Sequence, residues 1–219
     1  LDAIVADINA RRVTHLDLAV ECQSETAGLH PPASGESAAR TAACESEGAA
    51  SSTYRLHIPP RDRLYIAGAG HVGQVVARLA LALEFEVHVF DDRADIIHQH
   101  LPPGAIPVLG DIAERLAGAP IDDSTFCLVV TRGHRHDEQA LHAVVGRGAA
   151  YVGMIGSRRK VKLIFDDLAA MGVAPAALAQ VHAPVGLDIG AVTVEEIGVS
   201  IAAQLVQARR RNAHKPVEH

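Results

Sequence analysis

From Leu64 onward the chain alternates short apolar runs with longer amphipathic segments, and this alternation restricts the fold more than any other feature. The apolar runs have the length of buried strands, and the segments between them have helical spacing. Strands that alternate with helices imply a parallel sheet with right-handed crossovers. Aromatic residues make up only 3% of the chain while hydrophobic residues make up 48%, so we expect the aliphatic core that buried parallel strands require.

Five strands and five helices are predicted in this stretch. Strands are expected at residues 63–68, 86–90, 106–109, 125–131 and 151–155. Helices are expected at residues 71–83, in a short segment ending at Leu116, at 136–146, at 158–171 and from Thr193 onward. Thr193 and Glu196 have the spacing of a capping box, and the sequence around Val181 leaves room for a sixth strand. The pattern predicts an α/β fold with a Rossmann-like, doubly wound parallel sheet.

The N-terminal part differs in composition and is predicted to be a short extension. Residues 1–22 have spacing compatible with a short helix, followed by the strand-like run LDLAV. Residues 23–52 are rich in Ala, Ser, Glu and Gly and are predicted to be a mobile linker, because they can bury little apolar surface. Residues 53–58 alternate polar and apolar side chains, as an edge strand does. The chain opens on Leu1 rather than Met, as a fragment would. The predicted organisation is an N-terminal segment at 1–60, a Rossmann-like domain at 61–212 and a disordered tail at 213–219.

Charge, hydropathy and cysteine content argue against several classes of protein. The net charge of −6 argues against nucleic acid as a partner, because binding a phosphate backbone requires a basic surface. No apolar run reaches the length of a membrane span, so no membrane association is expected. Three cysteines cannot form a disulfide framework, which indicates a reducing cytoplasm. Cys127 lies in an apolar run and is expected to be an inert core residue, whereas Cys22 and Cys44 are either sulfur carriers or ordinary thiols.

The segment GAGHVG, from Gly68 to Gly73, is a GxGxxG motif between a predicted strand and a predicted helix. In such a turn Gly68 permits the tight bend, Gly70 lets the backbone approach a pyrophosphate, and Gly73 allows the helix to pack closely on the strand. The helix N-terminus adds free N–H groups and a partial positive charge. The motif predicts a phosphate-binding turn, and the alternative is a tight turn that binds nothing.

Asp91 ends the second predicted strand, where an acidic residue commonly hydrogen-bonds a ribose diol. A carboxylate there repels a ribose 2′-phosphate and so favours NAD-like over NADP-like ligands. Arg93 lies close enough to weaken that preference, and it is either a ligand contact or a solvated surface charge.

Two further strand ends are unusually polar. Thr131 opens the segment TRGHRHD, and Gly156 opens GSRRK, which combines a glycine, the hydroxyl of Ser157 and three cations at a predicted helix start. This composition predicts an anion site on Ser157, Arg158 and Arg159, and the alternative is an ordinary Ser-capped helix. Because the carboxyl ends of parallel strands face one crevice, these residues are expected on the same side of the sheet as the glycine turn.

Metal and catalytic sites are not predicted. His134, His136 and Asp137 could bind a metal or transfer protons, but their spacing matches no zinc motif, so no metal is expected. The sequence contains no nucleophile elbow, no CxxC and no Lys/Tyr pair of the short-chain dehydrogenase kind, and catalytic residues remain unassigned.

The segments RLYIAGAGHVGQ, FDDR, GMIGSRRK and PVGLDIGAVTVEEIGVSIAAQL resemble the XdhC/CoxI accessory proteins of molybdenum hydroxylases, over residues 54–211. The resemblance implies a chaperone that binds the molybdenum cofactor, as molybdopterin or its nucleotide form. It further implies help in sulfuration and delivery to a xanthine dehydrogenase-like client, with a cysteine desulfurase as a further partner and a homodimeric assembly. The GAGHV motif of this family adds His71 and Val72 to the residues expected in the cofactor site.

The leading prediction is therefore a cytoplasmic, cofactor-binding maturation factor rather than a turnover enzyme. The alternative is an NAD(H)-dependent oxidoreductase, with His134 or His136 as proton donor, or an NAD-sensing module that uses the same site. The predicted cofactor site consists of Gly68, Gly70, His71, Val72, Gly73, Asp91, Arg93, Thr131, His134, Gly156, Ser157, Arg158 and Arg159.

Overall fold

The computed structural model describes residues 14–21, 51–58 and 61–213, and the chain forms two compact units, Leu1–Pro60 and Arg61–His219. In the first unit, β1 (Thr14–Glu21) pairs with β2 (Ser51–Ile58) in an antiparallel register. Both strands expected in this part therefore exist and pair with each other. Because β2 begins at Ser51, the last two residues of the expected linker belong to a strand. The expected N-terminal helix, the rest of the linker and the end of the tail lie outside the described residues.

The second unit is built on a five-stranded, fully parallel sheet with the order β5-β4-β3-β6-β7. Its strands are β3 (Arg63–Ala67), β4 (Glu86–Asp91), β5 (Ile106–Leu109), β6 (Thr125–Val129) and β7 (Tyr151–Met154). The direction of winding reverses between β3 and β6, which places a crevice outside the carboxyl ends of these two strands. The predicted Rossmann-like, doubly wound sheet is confirmed.

Helices cover both faces of this sheet. They are α1 (His71–Ala82), α2 (Ala94–Gln99), α3 (Ile112–Gly118), α4 (His134–Val144), α5 (Arg158–Ala170), α6 (Pro175–Leu178) and α7 (Val194–Ala213). On one face, Val76 of α1 and Ile201 of α7 pack with Leu64 of β3. On the other, Leu141 of α4 and Ile164 of α5 share a second aliphatic core. The short helix α2 was not predicted, and none of the described helices is long and apolar enough to cross a membrane.

The segment around Val181 does not form the expected sixth strand. It meets β7 at a single parallel bridge between Gly153 and His182, where the N–H of His182 donates to the carbonyl of Val152 at 2.9 Å. Pro184 follows and has no N–H with which to extend a ladder.

Two helix starts show how local sequence sets the boundaries. The predicted capping box is present: the Glu196 carboxylate accepts from the N–H of Thr193 at 2.9 Å, and the Thr193 hydroxyl accepts from the N–H of Glu196 at 3.2 Å. Helix α4 begins at His134, two residues before the expected start, directly after Gly133. Gly133 has φ of 84°, a conformation that suits glycine, so the turn is complete before His134.

Candidate functional site

The glycine turn between β3 and α1 is closely packed at two of its glycines and open at the third. A Cβ on Gly68 would lie 2.6 Å from the carbonyl oxygen of Val130, and one on Gly73 would lie 2.0 Å from the carbonyl oxygen of Gly68. A Cβ on Gly70 would meet nothing within 4 Å. Gly68 and Gly73 are therefore required by the packing of the turn, whereas the backbone at Gly70 faces free space at the N-terminus of α1.

Asp91, at the end of β4, is fully buried and receives four hydrogen bonds. Its Oδ2 accepts from the N–H of Ala69 at 2.7 Å and from Nη2 of Arg93 at 2.9 Å. Its Oδ1 accepts from Nε of Arg93 at 2.8 Å and from the backbone N–H of Arg93 at 3.0 Å. Burial alone would raise the pKa of Asp91, but the hydrogen bonds from Arg93 and Ala69 outweigh it and lower the pKa to about 2.

This arrangement gives Arg93 a role that the sequence left open. Its side chain is the bidentate partner of Asp91, and both carboxylate oxygens are engaged within the protein. Asp91 in turn joins the end of β4 to the glycine turn through Ala69. As the structure stands, Asp91 does not present a free oxygen of the kind expected for a ribose diol.

A small recess with an enclosed volume of about 10 Å³ lies between the glycine turn and the ends of β4 and β6. It is lined by Gly68, Gly70, Asp91, Arg93, Ile112, Val130, Thr131, Arg132 and His136. Five of these residues belong to the site predicted from the sequence. Arg132 was missed as a site residue, and His136 was named only as a candidate metal ligand or proton donor, although their position just after a strand at the winding reversal could have identified both as lining residues. Arg132 is exposed and pairs with Asp92 at 2.9 Å.

Asp137, in the first turn of α4, connects this recess to the start of α5. Its carboxylate is fully buried, accepts from the N–H of Thr131 at 3.0 Å and from the Thr131 hydroxyl, and forms an ion pair with the ammonium of Lys160. The sequence suggested Asp137 only as a metal ligand or a proton-transfer group. The pair was missed because Lys160 comes from the next helix, 23 residues away.

The remaining predicted residues lie outside the lining of the recess. Ser157 caps α5 by accepting from the N–H of Lys160 at 3.3 Å, and the side chains of Ser157, Arg158 and Arg159 are exposed. Gly156, just before them, is partly buried. The GSRRK segment is therefore connected to the recess only by two successive side-chain contacts, from Lys160 to Asp137 and from Asp137 to Thr131.

Three other predicted site residues lie at helix starts. In the first turn of α1, His71 is exposed and Val72 is half-buried against the core. His134, at the start of α4, lies 3.4 Å from a carboxylate oxygen of Asp167 on α5 and 3.8 Å from one of Glu138. His134 thus contacts acidic side chains of α4 and α5 and does not line the recess.

Cys127 is a core residue, as predicted. Its thiol is buried in β6, and this burial raises its pKa to about 12. A thiol with such a pKa stays protonated at neutral pH and is a poor nucleophile. Cys22 and Cys44 lie outside the described residues.

Comparisons with known proteins identify relatives of the second unit. The family described as the XdhC Rossmann domain matches residues 64–205. A protein of Escherichia coli (strain K12) named "Uncharacterized protein YqeB" is 35% identical over 153 residues, which are 68% of this chain and 28% of that protein. A protein of Bacillus subtilis (strain 168), named as a probable xanthine dehydrogenase subunit, is 31% identical over 157 residues, which are 71% of this chain and 46% of that protein.

One solved structure gives the same picture. The crystal structure of a xanthine dehydrogenase from Bacillus halodurans superposes with a TM-score of 0.66 at 27% identity, covering 76% of this chain and 47% of that one. The chain thus spans less than half the length of each of these three relatives.

Proposed function

This chain belongs to the family of XdhC Rossmann domains, and from that membership we propose that it is the cofactor-binding part of a maturation factor for a xanthine dehydrogenase-type molybdenum hydroxylase. The matched range includes the glycine turn, the recess and the start of α5. The names of two relatives refer to xanthine dehydrogenase, which supports this class of client.

The observation that carries the proposal is that the Arg93 side chain occupies both carboxylate oxygens of Asp91. A dinucleotide site of this fold uses the acid at this position to bind a ribose diol. Here four N–H donors occupy both carboxylate oxygens, so a ribose would have to displace Arg93. The other polar groups of the recess include Arg132 and His136, which are suited to an anion. The site therefore favours a ligand that presents a phosphate over one that presents a ribose diol.

Molybdopterin fits this requirement, because it ends in a phosphate and its nucleotide form contains a pyrophosphate. The recess encloses only about 10 Å³, far less than the roughly 300–1,000 Å³ of typical ligand pockets, so the phosphate end alone would lie at its mouth, against the glycine turn. The open backbone at Gly70 and the side chains of Arg132 and His136 would hold that end. When bound, the cofactor supplies the molybdenum centre for the client enzyme. The residues of this chain bind and orient its phosphate.

Sulfuration of the cofactor, with a cysteine desulfurase as partner, belongs to the same proposal but needs a reactive thiol. Within the part of the chain that the structure describes, Cys127 is the one cysteine, and its buried thiol is unsuited to carrying sulfur. We therefore assign the sulfur carrier to a partner protein or to a segment outside the described residues, and we assign cofactor binding to the recess.

A comparison of the affinities of two ligands tests the proposal. Molybdopterin released anaerobically from a molybdenum enzyme and pure NAD⁺ are each titrated into the full chain by calorimetry. We expect molybdopterin to bind and NAD⁺ to bind at least about tenfold more weakly, because displacing Arg93 costs a charge-assisted interaction of about 1.5–3 kcal/mol. Tighter binding of NAD⁺ would instead favour the oxidoreductase or NAD-sensing alternative.

A further inference from the structure

We propose that His134, Glu138 and Asp167 form a binding site for a first-row divalent metal ion between α4 and α5. One ligand atom from each residue lies within 4.8 Å of the other two. The site is separate from the recess and does not depend on the proposed function.

The donor set and its spacing suit such an ion. Zn²⁺ binds imidazole nitrogen and carboxylate oxygen at about 2.0–2.2 Å, which places neighbouring donors about 3.4 Å apart in a tetrahedral site. Nε2 of His134 lies 3.4 Å from Oδ2 of Asp167 and 3.8 Å from Oε2 of Glu138, so small side-chain rotations would bring all three onto one ion. His134 and Glu138 are four residues apart on one helix and therefore share a face. The imidazole favours Zn²⁺ or Co²⁺ over Mg²⁺ or Ca²⁺, which prefer oxygen donors only.

The charges around the cluster also favour a cation. Among the residues that the structure describes, neither Glu138 nor Asp167 forms an ion pair with a lysine or an arginine within 4.0 Å, and the ion pair of each is with His134. The adjacent Asp166, by contrast, pairs with Lys162 at 3.6 Å. Asp167 also lies in the last turn of α5, where the helix dipole presents partial negative charge. A divalent ion would relieve the repulsion between the two carboxylates.

Binding would cross-link α4 and α5 at the surface, next to the buried pair of Asp137 and Lys160 that joins the same helices. Three protein ligands leave a position for water or for another donor, since His134 and Asp167 are exposed. The spacing of His134, His136 and Asp137 gave no zinc motif because two of the three ligands, Glu138 and Asp167, were not among those residues.

Zn²⁺ titration of the chelator-treated full chain, followed by calorimetry, tests the site, with the visible spectrum of bound Co²⁺ reporting the donor set. We expect the wild type to bind one tightly held Zn²⁺ per chain and to gain thermal stability from it. His134→Gln and Asp167→Asn should each weaken that binding by at least about 10–100-fold, the range found when only an outer-shell partner is lost.

The matched controls are His98→Gln, an exposed histidine on α2, and Asp166→Asn, the neighbouring acid; both should bind Zn²⁺ like the wild type. All four substitutions are at exposed positions, and circular dichroism melts check that each variant folds. Binding by His134→Gln or Asp167→Asn at wild-type affinity would overturn the proposal. Zn²⁺ affinity in the wild type no greater than in these two variants would overturn it equally.

Discussion

Arg93 holds both carboxylate oxygens of Asp91, with Nε 2.8 Å from Oδ1 and Nη2 2.9 Å from Oδ2. The two residues belong to FDDR, at the point where a dinucleotide-binding chain of this fold keeps its acid free for a ribose. We therefore propose that these two residues decide which part of a ligand can approach the glycine turn, and substitution can test them separately.

Removing the Arg93 guanidinium should make the site more like a dinucleotide site. In Arg93→Gln the Asp91 carboxylate loses two of its four hydrogen bonds and can accept from a ribose diol. We expect NAD⁺ affinity to rise by about tenfold, consistent with one charge-assisted hydrogen bond. Calorimetry measures the change, and Arg61→Gln, at an exposed position outside the recess lining, is the control. Unchanged NAD⁺ affinity in a folded Arg93→Gln protein would show that Arg93 does not keep the Asp91 carboxylate from binding a ribose diol.

The low pKa of Asp91 predicts acid sensitivity of the fold. The native pKa of about 2 lies below the usual 3.8, so the stabilisation is complete above about pH 4 and is lost as pH falls through about 2. A shift of this size corresponds to about 2 kcal/mol. Urea unfolding at a series of pH values should show the wild type losing about that much more stability than Asp91→Asn on acidification. Asp92→Asn, a substitution of the exposed neighbouring acid, should follow the wild type; parallel pH profiles for wild type and Asp91→Asn would contradict the account.

The buried pair of Asp137 and Lys160 should be important for stability. Lys160→Gln leaves the fully buried Asp137 carboxylate without its cation, and breaking a buried ion pair costs about 3–5 kcal/mol. We expect a loss near 3 kcal/mol, because the lysine side chain is partly exposed. Lys162→Gln breaks the exposed pair with Asp166 and should cost less than about 1 kcal/mol. Equal unfolding free energies for the two variants would mean that the buried pair contributes no more than a surface pair.

Most of the sheet could be predicted from the sequence because the apolar runs of β3, β6 and β7 are buried; β5 was found from its short apolar run although Ile106 and Leu109 are exposed at the edge of the sheet. β5 was placed at its observed ends, Ile106 and Leu109, and the capping box at Thr193 was identified from two residues. The motif-based resemblance to the XdhC/CoxI accessory proteins is confirmed by the family match over residues 64–205. The expectation of a sixth strand near Val181 was wrong, because this segment forms only a single bridge to β7 and is then followed by a proline.

The side-chain partnerships could not be predicted in the same way. Which groups meet Asp91, Asp137 or His134 depends on how the helices pack over the sheet, and local spacing does not encode this. The topological argument did place Gly68, Gly70 and Thr131 beside one recess, because parallel strand ends converge. Arg158 and Arg159, also expected at this crevice, begin α5 with exposed side chains that lie outside the lining of the recess. Whether they reach a bound ligand stays a prediction.

The central claim, that the recess at the glycine turn binds the phosphate end of molybdopterin, is tested most directly by Gly70→Val. A Cβ at Gly70 meets nothing within 4 Å, so the variant should melt within a few degrees of the wild type while its side chain fills the path of the phosphate. Gly118→Val is the matched control, because Gly118 is equally open and lies at the end of α3, outside the recess lining. We predict that anaerobic calorimetry will show molybdopterin affinity at least about tenfold weaker in Gly70→Val and unchanged in Gly118→Val, as expected when a charge-assisted contact is blocked. Wild-type affinity in a folded Gly70→Val protein would contradict the claim.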